Sequence, residues 1–168
     1  GICGGYQMMG RQIRDTHHVE GGIEAMPGLG MLPIVTEMLP DKVTRQVRFA
    51  LTDETAAEKG FPMEGYEIHM GETRTADEVP AAPLVRLEDG QADGFRVDDK
   101  CMGCYIHGIL DNPAFIDRLL APHSRKLTEA TATFDYHAFK ERQYDRLADH
   151  VRKHVDVPLL YEILKGKR

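Results

Sequence analysis

Gly1-Ile2-Cys3-Gly4-Gly5 sets a thiol between glycines two residues away on either side, the G-x-C-x-G form of a nucleophile elbow. A sharp strand-to-helix turn of this kind pushes the reactive atom outward, and Gly1 and Gly5 remove side chains that a strained backbone at Cys3 could not accommodate. The helix expected from Gly4 onward aims its N-terminus at the sulfur, and the partial positive charge there favours thiolate, the attacking species. The Gly4 amide is placed to donate one oxyanion hydrogen bond. The chemistry is then nucleophilic catalysis by Cys3; the competing reading is a buried cysteine in a glycine-rich turn.

A thiol nucleophile needs a base, and the chain offers eight histidines. His107 closes the short apolar run Gly103-Cys104-Tyr105-Ile106-His107-Gly108, so its imidazole should emerge at the end of a strand, where the sites of open α/β sheets gather. The rival base is His69 in Gly65-Tyr66-Glu67-Ile68-His69-Met70-Gly71, whose neighbours Glu67 and Glu72 suit a polar loop that grips a charged small molecule. His17 and His18 fall in a flexible stretch and read as bystanders. Cys101-x-x-Cys104 followed by His107 has part of a zinc pattern. Strand positions three apart face opposite sides, and no second ligand pair follows at finger-like spacing, so no metal site is assigned. Cys104 then reads as a small buried residue and Cys101 as a loop residue.

The elements that would hold these groups follow from period and punctuation. Tyr6, Met9, Gly10 and Ile13 recur at helical spacing, which predicts an amphipathic helix ending near Asp15. The glycine-rich stretch Thr16 to Gly30 reads as a long surface loop. Strands are predicted over Leu29–Leu39, Val43–Leu51, Gly65–Met70, Leu84–Leu87, Gly94–Val97 and Met102–Ile109. Beyond Leu110 the period changes. A helix over Pro113–Leu120 has Asn112 as its expected cap, and a longer one begins after Asp135. Tyr144, Leu147, Ala148, Val151 and Val155 share one face of that helix, which is expected to pack on the sheet. A last short helix should carry Leu159 to Leu164, before a frayed basic end at Lys165–Arg168.

Composition narrows the class. The 168 residues suit one domain with a real core, 42% of them hydrophobic. Twenty-one basic against 27 acidic side chains leave a net charge of -6, which disfavours nucleic acid. No apolar run long enough to span a membrane and no signal pattern is seen, so no membrane partner and a cytoplasmic setting are expected. Three cysteines do not make a disulfide framework. The chain opens without methionine on a pentapeptide that belongs inside a domain, and it therefore reads as a piece of a longer polypeptide.

Taken in order, Gly1-Ile2-Cys3-Gly4-Gly5-Tyr6-Gln7-Met8-Met9-Gly10, Gly65 to Gly71, and Tyr105-Ile106-His107-Gly108 resemble the glutamine amidotransferase domain of the cobyric acid synthase family. Glu141-Arg142-Gln143-Tyr144-Asp145-Arg146-Leu147-Ala148 is similar to that family's C-terminal helix, so the match runs over nearly all of residues 1–168. The resemblance implies a class I, triad-type, flavodoxin-like α/β fold. Its sheet would be mainly parallel with helices on both faces, incomplete at the N-terminus. It implies Cys3 as nucleophile on the side-chain amide of glutamine, His107 as proton donor to the departing ammonia, Gly4 in the oxyanion hole, and Gln7, Glu67 and His69 as substrate-binding residues. Ammonia would pass to an N-terminal synthetase domain, absent here, that uses ATP and magnesium to amidate adenosylcobyrinic acid a,c-diamide in cobalamin biosynthesis. The amidotransferase part itself would need no cofactor. Many class I members orient the histidine with a glutamate two residues on; Ile109 stands there, as in this branch, and Glu67 is the candidate substitute. Without the upstream strands and second oxyanion donor, the segment alone is expected to fall short of activity. Two other readings are an amidotransferase acting on a cell-wall lipid precursor and a noncatalytic docking module of the same fold.

Overall fold

A computed structural model describes residues 1–52, 62–76, 79–121 and 135–166. They fall into two compact units, Gly1–His123 and Ser124–Arg168. The first holds α1 (Gly4–Met9), eight strands and a helix α2 (Pro113–Leu120). The strands are β1 (Gln12–Arg14), β2 (Ala25–Pro27), β3 (Ile34–Leu51), β4 (Met63–Thr75), β5 (Val85–Leu87), β6 (Ala92–Asp93), β7 (Phe95–Asp98) and β8 (Cys101–Gly103).

The helix after Cys3 is shorter than its periodicity predicts. It stops at Met9 because Gly10 turns extended and runs so close to β3 that a Cβ there would lie 2.9 Å from the Ile34 carbonyl oxygen. Ile13, the apolar position assigned to that helix, sits in β1 and pairs parallel with Thr36. Part of the expected loop is also a strand, since β2 pairs antiparallel with β1. Just before that stretch Asp15 is buried, and its carboxylate accepts the amides of Val19, Glu20 and Gly21 at 2.7, 2.9 and 3.2 Å.

The two strands predicted on either side of Pro40-Asp41 are one long strand, β3, with a register shift between Met38 and Val43. That irregularity changes the buried parity. Ile34, Thr36 and Met38 face inward before it, and Val47, Phe49 and Leu51 after it, so one strand serves both halves of the core. β3 pairs antiparallel with β4 along most of its length and with β5 at its end.

The sheet is mixed. The parallel pairing expected of it is met in β1–β3 and in a single bridge between Ile2 and Cys104. Its β3–β4, β3–β5 and β5–β6 pairs are antiparallel, and β7 and β8 form a separate antiparallel pair. The core divides accordingly. One cluster gathers Phe49, Met63, Val85, Leu87, Ile106, Ile109 and Phe115; the other gathers Tyr6, Leu32, Ile34, Phe95 and Tyr105.

Pro113 opens α2 as predicted, but Asn112 does not cap it with its side chain. Its Oδ1 accepts the Glu64 amide, and its Nδ2 donates to the carbonyls of Glu64 and Gly108, both at 2.9 Å. Asn112 thus ties the segment after His107 to β4. In the second unit α3 (Tyr136–His154) and α4 (Val157–Leu164) begin at Asp135 and Asp156, whose carboxylates accept the amides of Ala138 and Leu159. Tyr144, Leu147 and Val151 of α3, and Val155 just beyond it, lie exposed. The basic end is described only through Gly166.

Candidate active site

Cys3 has φ 53° and ψ −119°, a left-handed backbone that side chains rarely adopt, immediately before α1. The crowding that demands glycine lies on one flank. A Cβ on Gly1 would meet Met9 Sδ at 2.5 Å and the Tyr6 nitrogen at 2.9 Å, whereas one on Gly5 would meet nothing within 4 Å. Gly5 is therefore not forced by sterics, contrary to the expectation from the motif. A third glycine closes the bend from outside it: a Cβ on Gly103 would stand 2.6 Å from the Tyr6 ring and 2.9 Å from the Gly1 carbonyl oxygen.

Backbone hydrogen bonds lock the elbow to the histidine segment. The Cys3 amide donates to the Cys104 carbonyl at 2.9 Å, and the Cys104 amide donates to Gly1 at 3.1 Å. The Gly5 amide is taken by Ile2 and the Gln7 amide by Cys3. Gly4, in the first helical position, has its amide beyond the reach of any intrahelical acceptor. The Cys3 thiol points to β4, with Sγ 3.5 Å from the Ile68 carbonyl oxygen.

His107 reaches β4 as well. Its amide donates to Tyr66 at 2.8 Å and its carbonyl accepts from Tyr66 at 3.1 Å, while the two rings stack with centroids 5.0 Å apart. Tyr66 and Ile68 are two residues apart, about 6–7 Å of extended chain, so one strand gathers both proposed catalytic side chains. This explains Gly65: a Cβ there would lie 2.6 Å from the His107 carbonyl oxygen and 2.5 Å from Ile106 Cγ2. Gly108 takes φ 77° directly afterwards and turns the chain away. The Nε2 atom of His107 is buried without a hydrogen-bond partner among the described residues. Ile109 is 2% exposed in the core, so no carboxylate follows the histidine there.

His69 occupies the same strand. Its Nδ1–H donates to the Gly71 carbonyl at 2.8 Å, and its ring stacks on Tyr105 with centroids 3.7 Å apart. Burial lowers its pKa, against the opposing pull of the Gly71 carbonyl and Glu67. Glu67 is 4% exposed and salt-bridged to Arg45 Nε, its register partner on β3. Arg45 also donates to Asp89 at 2.8 Å and Gln91 at 3.0 Å. No described hydrogen bond joins Glu67 to His107, and Arg45 holds the carboxylate that was the candidate for orienting it.

Gln7 is buried on α1, its Nε2 donating to Tyr105 Oη at 3.2 Å. Two clefts flank this point. One, of about 600 Å³, is apolar and is lined by Gln7, Met8, Ile13, Met26 and Leu29. The other, of about 590 Å³, is polar and is lined by Arg45, Glu67, His69, Thr73, Asp93 and Tyr105. No motif singles out Tyr105, Arg45 or Asp93 for chemistry; Gly71, where a Cβ would stand 3.1 Å from Tyr105 Oη, is the one sequence trace of the packing there.

The three thiols are free. Cys104 is buried in the first core cluster and its thiol is pushed up to about 12, chiefly by burial and then by Asp93. Cys101 lies in β8, not in a loop, and packs on the second cluster, so the two sulfurs diverge. Among the described residues no three His, Cys, Asp or Glu side chains converge as metal ligands. No described helix is long and apolar enough to cross a membrane.

Cobyric acid synthase of Bacteroides fragilis is 59% identical over 164 residues, which cover 98% of this chain and 32% of that protein. Cobyric acid synthase of Phocaeicola vulgatus is 54% identical over 166 residues, and that of Citrobacter koseri 43% over 176. The chain spans about a third of the length of these relatives. Residues 1–115, from the elbow through α2's first turn, match the CobB/CobQ-like glutamine amidotransferase domain, and the chain belongs to that family.

Proposed function

We propose that this segment is the glutamine-hydrolysing part of a cobyric acid synthase, with Cys3 as nucleophile and His107 as its acid and base. The observation that carries the reading is the convergence of the strained Cys3 and of His107 on one short stretch of β4. The Cys3 sulfur attacks the side-chain amide carbon of glutamine, and the oxyanion that develops takes a hydrogen bond from the Gly4 amide. The C–N bond breaks as His107 delivers a proton to the leaving nitrogen, giving ammonia and a γ-glutamyl thioester. Water, deprotonated by the now neutral His107, attacks the thioester and releases glutamate with the thiolate restored. Gln7 and His69 face the substrate, and Glu67, held in its ion pair with Arg45, lines the same cleft as His69. The parallel Ile2–Cys104 bridge supports a class I, mainly parallel sheet on the elbow side.

Ammonia then passes to the synthetase part of the longer polypeptide, where ATP and magnesium activate the peripheral carboxylates of adenosylcobyrinic acid a,c-diamide. Glutamine and, through the synthetase, the corrin are the partners, in the cytoplasm. The test is amidation by the full-length protein with either glutamine or ammonium salt as nitrogen source. Cys3→Ser should abolish glutamine-supported amidation and keep the ammonium-supported reaction. Undiminished use of glutamine by the variant would refute the reading.

A further inference from the structure

Tyr105 is attached to the surrounding elements at three levels. Its amide donates to Asp93 Oδ2 on β6 at 2.9 Å. Its ring stands edge-on to Tyr6 of α1, centroids 5.4 Å apart, and stacks flat against His69 of β4. Its hydroxyl receives the Gln7 amide and lies 2.6 Å from Thr73 Oγ1, which in turn lies 2.7 Å from Thr36 Oγ1. Tyr105 is 5% exposed, and its bond with Gln7 is made away from water.

The hydroxyl has one proton. Because Gln7 Nε2–H donates to its oxygen, that proton is available to Thr73, and the Thr73 proton to Thr36. The Gln7 amide sits with its nitrogen toward Tyr105 and its carbonyl oxygen away from it. Gly71 shows how tightly this corner is packed. A Cβ there would lie 2.5 Å from Gln7 Nε2, 2.8 Å from Thr36 Cγ2 and 3.1 Å from Tyr105 Oη, so a glycine is needed where those three groups meet. The Gly71 carbonyl also accepts from His69 Nδ1.

We propose that Tyr105 is a positioning residue for glutamine recognition, its hydroxyl aiming the Gln7 amide and its ring holding the His69 imidazole against β4. This rests on the glutamine reading above. Tyr105 touches neither thiol nor scissile amide; it acts through Gln7 and His69. Loss of its hydroxyl should therefore weaken substrate binding and leave the chemical step nearly intact. The ring contacts survive in Tyr105→Phe, so His69 keeps its stacking partner while the Gln7 amide loses its anchor.

The experiment is steady-state glutaminase kinetics of the full-length protein, with Cys3→Ala as the inactive reference. Tyr105→Phe should raise KM for glutamine about tenfold, the worth of one hydrogen bond, with kcat within about threefold of wild type. Gly71→Ala, which inserts a methyl group among the same three groups, should raise KM in the same direction. Thr73→Val, which removes only the far end of the relay, should raise it less. An unchanged KM in Tyr105→Phe, or a fall in kcat at constant KM, overturns the positioning role while the wild-type activity stands. Absence of Cys3-dependent turnover in the wild type overturns the glutamine reading and this inference with it. Should Tyr105→Phe not fold, Gly71→Ala and Thr73→Val carry the same test, and normal KM values in both overturn the proposal.

Discussion

Cys3 and His107 arrive at β4 by different routes, one from a strained bend and one from a strand-like segment capped by a left-handed glycine. Among the described residues Nε2 of His107 is buried without a partner, which is unusual, since buried ring nitrogens ordinarily find partners. Its lack of a partner suits an atom kept for a reacting group. His107→Ala should lower glutaminase turnover by about 10²- to 10⁴-fold, the usual worth of a general acid and base. Circular dichroism should show the fold retained. Turnover close to that of wild type would transfer the role to His69. At this scale the sequence was most informative about groups whose type announces their chemistry. Cys3, His107 and His69 stood out, whereas Gln7 came only with the family resemblance and the Arg45 guanidinium that captures Glu67 did not appear at all, because a cross-strand pair depends on register.

Among the elements, the β3–β4 pair does most to build the site. Its long antiparallel ladder presents Glu67, His69 and Gly71 at fixed spacing, and the shift between Met38 and Val43 lets the strand serve both core clusters. The strand pattern was legible on both sides of Pro40-Asp41, but alternation cannot distinguish a bulge within one strand from a turn between two. The end of α1 was misplaced for a related reason. Ile13 keeps helical spacing, and only the tertiary approach of Gly10 to β3 ends the helix sooner. Glycine carries part of the missing information. Gly65→Ala would drive a methyl group into Ile106 and the His107 carbonyl, which should cost about 1–3 kcal/mol of stability and displace the histidine. Urea unfolding and the accompanying loss of turnover measure both effects; a variant as stable and active as wild type would show that the two strands separate freely.

For the molecule as a whole, buried charge sets a dependence on pH. Burial raises the Asp93 carboxyl from 3.8 to about 6, with Glu67 adding to the rise, although the amides of Tyr105, Gly94 and Ile106 oppose it. A raised folded pKa means that the folded chain holds this proton more tightly than the unfolded chain. The favourable contribution is complete below about pH 4 and is lost as pH rises through about 6. Asp93→Asn keeps an acceptor for the Tyr105 amide and cannot ionise. Its stability relative to wild type should therefore grow between pH 4 and pH 8, by an amount on the order of 3 kcal/mol at most. Denaturant unfolding across that range tests it, and a gap that does not change with pH would contradict it. Asp15 acts with the opposite sign. Burial works against its charge, but the amides of Glu20, Val19 and Gly21 hold it below the ordinary carboxylate range, so its contribution is present at neutral pH and lost on acidification. None of this was legible from composition, because net charge does not reveal which carboxylates are buried.

One measurement bears most directly on the central claim. Full-length protein is incubated with an electrophilic mimic of glutamine, digested, and the peptides are mapped by mass spectrometry. One adduct per chain on Cys3, slowed by added glutamine and absent from Cys101 and Cys104, is the predicted result. Modification that spares Cys3, or that glutamine does not slow, would contradict it.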